Sequence, residues 1–354
     1  MPPTKKKNKV NVSMKLLIII MILMMLLTLA GCKSLGIGGG SGKKWLFFGG
    51  GDDFNVINYK EGIEELEIAF VDNAPEDEVF EGRNFQIGVD IMNLGGYDIT
   101  NAIFMIYSDQ ESMLKIERSA KNPYTFTMEG KSNTNPIGGR ETLMLKARTG
   151  ELSNLLETKK AHDVKVIVKS CYLYESHASP TICIDTDVYN TKKGKACETE
   201  DVSLNGQGAP VAVTNVIVKI IPAGENANIV IPVFDIFIEN QGSGNVYHPN
   251  HYDFECGGES EYNIKDIVIV SALLEDQYLE CFPSQFQLTS SNTPEERKYV
   301  KCSLPKGIPI SKGTYTTPLE ILLDYGYSVT VDKTVKIVED PTKTNAEEQV
   351  IVPK

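Results

Sequence analysis

The residues of this chain best suited to chemistry are its seven cysteines and four histidines. The densest cluster is His248-Pro249-Asn250-His251-Tyr252-Asp253, with Cys256 close behind. Two imidazoles three positions apart, joined by a carboxylate, are ligand types that zinc or copper accept. His248, His251 and Asp253 are therefore the candidate metal ligands. The competing interpretation is an ordinary turn, which Pro249 and the preceding glycines favour. No Cys-x-x-Cys pair supports a structural zinc site. The acidic run Asp72, Glu76, Asp77 and Glu78 lacks the spacing of a calcium-binding loop and reads as a solvated face.

Other catalytic patterns fail on their own terms. Gly42-Lys43 lacks the upstream glycine and the hydroxyl residue of a phosphate-binding loop. Gln241-Gly242-Ser243-Gly244 is no nucleophile elbow, and no alternation of strand and helix surrounds it. Paired carboxylates for glycoside hydrolysis are unmarked among 47 acidic residues. The expectation is a protein that is not an enzyme and carries no cofactor. A secreted hydrolase is the remote alternative.

Cys32 stands apart from the other cysteines. Lys5, Lys6, Lys7, Lys9 and Lys15 precede it with no acid among them, and Leu16 to Ala30 is apolar except for Thr28. A charged segment followed by so short an apolar one reads as a signal peptide, with an uncleaved signal anchor as the alternative. Extending the span past the cysteine would bury Lys33. The apolar segment ends in Leu29-Ala30-Gly31-Cys32, which resembles the lipobox of prokaryotic lipoproteins. That resemblance implies cleavage before Cys32 and a lipid on its sulfur. Met14 offers an alternative start. Cleavage would leave 30 basic and 47 acidic side chains, a net charge of −17. The expected location is the extracytoplasmic face of a prokaryotic membrane, bacterial or archaeal, with the membrane met through the lipid.

The remaining six cysteines are Cys171, Cys183, Cys197, Cys256, Cys281 and Cys302. An even number in an exported chain suggests up to three disulfides, with 15 connectivities open. The preferred set is Cys183–Cys197 and Cys281–Cys302 as local staples, with Cys171–Cys256 crossing between halves.

The elements that position these residues are strands. The length, 354 residues, accommodates two or three domains at roughly 100–200 residues each. Hydrophobic residues make up 42% and charged residues 23%, which excludes a wholly disordered chain. The net charge of −12 makes the chain a poor candidate for nucleic-acid binding, which requires clustered positive charge, and no nucleic-acid partner is expected. Lys33 to Asp53 is glycine-rich and reads as a flexible tether, interrupted by the apolar island Trp45-Leu46-Phe47-Phe48. From residue 62 onward, apolar and polar residues alternate with period two, as in Phe85–Ile91, Val164–Lys169 and Phe234–Ile238. Only Gly150 to His162 reads as a short helix.

A repeat organises these strands. Val89-Asp90-Ile91-Met92-Asn93-Leu94-Gly95-Gly96 matches Phe237-Ile238-Glu239-Asn240-Gln241-Gly242-Ser243-Gly244, each an alternating strand ending in Asn-x-Gly. With the later turns Pro136–Gly139 and Ile310–Gly313, the chain resembles the CARDB family of adhesion-related, immunoglobulin-like domains. The resemblance spans about residues 62–340. It implies an all-β fold of two tandem immunoglobulin-like antiparallel sandwiches, closed by strands at Val164–Ser170 and Ser328–Val338, and it implies no catalytic residues. The expected organisation is a signal peptide over 1–31, a lipid-anchored tether over 32–61, sandwiches over 62–205 and 206–340, and a disordered tail over 341–354. Gly206 to Pro210 reads as the linker. The first copy carries two insertions, Ser108–Pro136 and Cys171–Cys197, where loop specificity would lie. The expected function is a surface binding or adhesion module whose partner is a cell-surface protein or glycan. The alternative is a structural spacer or envelope subunit.

Overall fold

Alternation decides the strands. In Ala161–Ala178 every even-numbered residue from Val164 to Ala178 is buried. In Thr314–Val338 every odd-numbered residue from Thr317 to Val329 is buried. β-branched residues and tyrosines take most of these positions, because they pack well on a pleated surface. The computed structural model describes residues 58–117, 124–154, 160–224, 226–257, 265–288 and 299–343. The signal peptide, Leu29, Ala30, Gly31 and Cys32, the tether up to residue 57 and the tail from 344 lie outside the described residues.

Among the described residues the strands form three sheets, of four, six and ten strands. The fold is all-β, and its sheets are almost entirely antiparallel. The four-stranded sheet joins Leu66–Phe70, Asn84–Asn93, Arg140–Thr149 and Leu114–Ile116. The six-stranded sheet is built on Val211–Ala223 and Asn226–Asn240. The ten-stranded sheet is built on Ala161–Ala178 and Thr314–Val338, and both smaller sheets pack against one face of it. The Leu66 amide reaches the Tyr172 hydroxyl at 3.4 Å, and the Val211 amide reaches the Tyr325 hydroxyl at 3.4 Å.

This arrangement corrects the expected division into two sandwiches in tandem. Thr314–Val338 pairs in antiparallel register with all of Ala161–Ala178, and its first residues continue onto Thr181–Asp185. Each closing strand is thus longer than expected, Ala161–Ala178 at both ends and Thr314–Val338 at its start, and the two zip onto each other. Residues 56–354 form one compact unit. Cutting at 205 would break the longest strand pair in the molecule.

The expected linker is also corrected. Gly206 to Pro210 is buried throughout. The Gly208 amide donates to the Gly62 carbonyl at 2.8 Å, and the Gly96 amide donates to the Gly208 carbonyl at 2.8 Å. Gly208 has φ +69°, and a Cβ there would lie 2.5 Å from the Tyr59 carbonyl oxygen. These glycines serve close backbone approach, not flexibility. For the same reason residues 58–61, expected to belong to the tether, pack on the body, with the Lys60 ammonium 4.5 Å from the centre of the Tyr97 ring. Of the expected helix over Gly150 to His162, the described residues hold a 3-10 turn at Leu152–Asn154, and Ala161 and His162 open the Ala161–Ala178 strand, while 155–159 lie outside the described residues.

The repeat is present as geometry. Asn93 accepts from the Gly95 amide at 3.1 Å and donates to the Tyr97 carbonyl at 2.8 Å. Asn240 accepts from the Gly242 amide at 3.2 Å and donates to the Gly244 carbonyl at 2.9 Å. Each asparagine closes its turn with the same two bonds, using both ends of its amide.

Candidate functional site

The outer face of the six-stranded sheet brings exposed aromatic and charged side chains together. Strand alternation sends Phe234, Ile236, Val300 and Cys302 into the core. It therefore sends Asp235, Phe237, Tyr299 and Lys301 outward. Register then sets their neighbours. Asp235 lies opposite Lys301, and Lys301 lies opposite Phe282 on the edge strand Glu280–Phe282. Phe282 is 83% exposed and Tyr299 38%. The Phe237 and Tyr299 rings sit 5.5 Å apart, and the Lys301 ammonium lies 5.4 Å from the centre of the Tyr299 ring.

Asp235 anchors this face. It is 2% exposed, and a buried carboxylate requires paired charge. Lys301 supplies it from one side at 3.0 Å and Lys219 from the other. The hydrogen bond to Asp235 raises the Lys219 pKa. Both lysine side chains are about half exposed. Chemically the face offers flat rings for stacking and two ammonium groups with donors to spare.

A cavity of about 640 Å³ lies elsewhere, lined in part by Lys60, Asp98, Glu175, Pro249 and Asp324. Asp324 and Glu175 are directly opposed in register, and burial raises the Asp324 pKa.

The cysteines join as the spacing suggested: Cys171–Cys256, Cys183–Cys197 and Cys281–Cys302. The first pins the segment around Cys256 to the reverse face of the ten-stranded sheet. Beside it, Glu255 meets Lys169 at 3.1 Å, Lys265 at 3.3 Å and Ser328 at 3.2 Å. Burial pushes the Glu255 carboxyl up, but the Tyr247 hydroxyl and these ammonium groups outweigh it and hold the pKa at about 2.

The proposed metal ligands are not assembled into a site. The His248 and His251 ring centroids are 5.7 Å apart. His248 Nδ1 accepts from the Asn250 amide at 3.2 Å and caps the turn Pro249–His251, and Cys256 is in a disulfide. Among the described residues no group of three or more His, Cys, Asp or Glu side chains is placed to hold a metal ion. The aromatic row was not singled out from sequence. Its signal was available in Phe237 and Tyr299, apolar residues in the outward phase of their strands.

No family model matches the chain, and no curated protein does. Three solved structures show distant likenesses. One is the secreted serine protease VesC from Vibrio cholerae, at 12% identity and TM-score 0.18, covering 79% of this chain and 53% of that one. The chain thus spans about half the length of that protein. Another is the sporulation control protein Spo0M from Bacillus subtilis, at 7% identity and TM-score 0.14, covering 69% and 90%. The third is a partial N-terminal region of enterococcal surface protein, at 11% identity and TM-score 0.17, covering 86% and 90%. At scores this low none of them carries fold or function to this chain.

Proposed function

We propose that this chain is a lipid-anchored extracytoplasmic surface protein, tethered through Cys32, that works as a binding module. The observation that carries the binding reading is the pair of exposed rings Phe282 and Tyr299, with half-buried Phe237 beside Tyr299, on the outer face of the six-stranded sheet. Exposed aromatic clusters on a sheet mark interaction sites. Three disulfides support an oxidising compartment. The lipobox resemblance at Leu29–Cys32 supports the anchor, and the two matching Asn-x-Gly turns support the CARDB-like reading of each half.

The anchor is tested by intact mass of membrane-extracted protein. Diacylglyceryl-modified Cys32 as the N-terminal residue is the expected result, and Cys32→Ser should release the chain from the membrane. Retention of residues 1–31 without lipid overturns the anchor. The binding reading is tested by adhesion of cells displaying the protein to envelope-derived material, with and without Phe282→Ala and Tyr299→Ala.

The spacer reading is favoured by one observation, the continuous pairing of Thr314–Val338 with Ala161–Ala178, which makes the two halves one stiff body. Wild-type adhesion that survives loss of the aromatic row would favour the spacer.

A further inference from the structure

We propose that the Cys281–Cys302 bridge is a thiol-exchange site, opened by a dithiol reductant, and that it sets the position of Phe282. The exchange site stands on geometry alone. Its consequence for binding rests on the reading above.

The bridge fastens a strap. Residues 277–287 cross from one sheet to another and back. Gln277–Tyr278 and Gln285–Gln287 both pair with Ile267–Leu274 of the ten-stranded sheet. Between them, Glu280–Phe282 pairs with Val300–Ser303 of the six-stranded sheet. Further backbone bonds hold the flanks. The Leu279 amide donates to the Ala272 carbonyl at 2.9 Å, and the Val270 amide donates to the Ser284 carbonyl at 2.9 Å. The middle of the strap has three residues and, among the described residues, one partner strand. So short a ladder makes few hydrogen bonds, each of small net worth. The disulfide is its one covalent stitch.

Register sets the spacing of that stitch. Cys281 lies directly opposite Cys302. Their Cα atoms are 4.0 Å apart, against 6.0 Å in each of the other two bridges. Opposed residues of antiparallel strands stand about 4.5–5.5 Å apart, and disulfides usually span about 4.4–6.8 Å. The strand pairing thus holds this bridge closer than a disulfide favours. A bridge kept off its preferred spacing is the more easily reduced.

Access differs in the same direction. Both cysteines of the reverse-face bridge, Cys171 and Cys256, are buried, whereas Cys281 is half-buried on an edge strand. Cys197 is half-buried too, but its bridge has the ordinary spacing. Lys195, two residues away, is also tied to Asp185 at 2.5 Å.

The exchange needs only the two sulfurs and the reductant. One thiolate of the dithiol attacks Cys281 Sγ, and the bond to Cys302 Sγ breaks. Cys302 leaves with the electron pair and takes up a proton. The second thiol of the reductant then displaces Cys281, which is protonated in turn, and closes the reductant's own disulfide. Two electrons and two protons have passed to the protein. Phe282 follows Cys281 directly and is held opposite Lys301 by the same three-residue pairing. Opening the bridge frees the middle of the strap while both flanks stay paired. The Phe282 ring then leaves its place near Lys301 and Tyr299 without unfolding of the body.

The test treats purified full-length protein with graded dithiothreitol under native conditions. Free thiols are trapped by alkylation and assigned by peptide mass. Cys281 and Cys302 should open at a concentration about tenfold or more below that needed for the other four. The near-ultraviolet dichroism of the tyrosines should be retained at that point. Hydrogen exchange should rise in residues 280–283 and 300–303 and not in the long strands. Cells displaying the protein, treated to the same point, should lose adhesion to the level of Phe282→Ala. Joint replacement Cys281→Ser and Cys302→Ser should give that level without reductant. Opening of another bridge at the same or a lower concentration overturns the proposal. So does loss of tyrosine dichroism as this bridge opens, or adhesion that still depends on Phe282 after it has opened. Adhesion that never depends on Phe282 removes the binding reading and its consequence here, while the thiol map still decides the exchange site.

Discussion

Tyr172 and Tyr327 lie directly opposite each other across the seam between the two halves of the chain, with ring centroids 5.8 Å apart. Tyr174 and Tyr325 repeat the pairing one step along, at 6.2 Å. Contacts along each strand, 5.6 Å for Tyr172–Tyr174 and 6.2 Å for Tyr325–Tyr327, close a ring of four. The ring has a pseudo-twofold axis. Tyr172 receives the Leu66 amide as Tyr325 receives that of Val211. Gly95 abuts the Tyr174 hydroxyl as Gly242 abuts that of Tyr327. The chain is in effect a dimer of its own repeat, joined where a symmetric pair of edge strands would meet. The seam places both smaller sheets on one face, and it thereby fixes the aromatic row relative to the rest of the body.

The tyrosine ring predicts how the protein responds to alkali. Burial, the largest effect, raises all four hydroxyls above the ordinary value of 10.0, and it pushes neighbouring Tyr97 to about 12. A folded pKa above the unfolded one stabilises fully below pH 10.0, and that contribution falls away as pH rises beyond it. Phenolate absorbance should therefore show exposed tyrosines ionising first. The quartet should ionise only together with loss of near-ultraviolet dichroism. Complete ionisation of all tyrosines with native dichroism retained would refute this.

Gly95 predicts a coupling that a mutant cycle can read. A Cβ there would overlap the Tyr174 hydroxyl and stand 3.0 Å from the ring carbon bearing it. Gly95→Ala should destabilise by about 1–3 kcal/mol through overpacking. In a Tyr174→Phe background the hydroxyl is gone, and the cost should shrink by about 1 kcal/mol. Denaturant midpoints of the four proteins test this, and strict additivity would mean that the glycine serves some other purpose.

Glu255 predicts acid sensitivity of the reverse face. Its carboxyl is held at about 2 against an ordinary 4.5. A depressed pKa stabilises above the unfolded value, and this contribution is lost as pH falls from 4.5 toward about 2. Glu255→Gln should lower stability at neutral pH, because Lys169 loses a partner. It should also flatten the stability profile between those limits. An unchanged profile would show that the ion pairs to Lys169 and Lys265 contribute nothing net, the cost of desolvating the partly buried charges having cancelled their attraction.

What the sequence made legible follows from the range of each interaction. The strands are local, and period-two alternation reveals them. The Asn93 and Asn240 turns are local too, because Asn-x-Gly supplies both the amide and the freedom the turn needs. Four of the six core cysteines pair over short separations, which leaves Cys171 and Cys256 for each other. The seam was not legible from alternation, since any alternating strand can pair with any other. A second repeat marks it nonetheless, Tyr172-Leu173-Tyr174 against Tyr325-Gly326-Tyr327. Gly206–Pro210 misled because a glycine-rich string looks the same whether it serves flexibility or close packing. The Lys219–Asp235–Lys301 cluster spans three strands, so only register reveals it.

The disulfides rank by the chain they enclose. Cys171–Cys256 spans 85 residues and Cys183–Cys197 spans 14. By loop entropy these are worth about 4–5 and about 3 kcal/mol against the unfolded chain. Replacing Cys171 and Cys256 together by alanine should therefore lower the melting temperature more than replacing Cys183 and Cys197. The seam should survive the loss, because the pairing of Thr314–Val338 with Ala161–Ala178 does not depend on the bridge. Hydrogen exchange would then show the amides of both long strands still protected while those around Cys256 open. A global loss of protection would mean instead that the reverse-face segment, pinned through Cys256 and Glu255, holds the two long strands together. A greater loss from the 14-residue staple would show that native packing around Cys183, not loop entropy, sets the order.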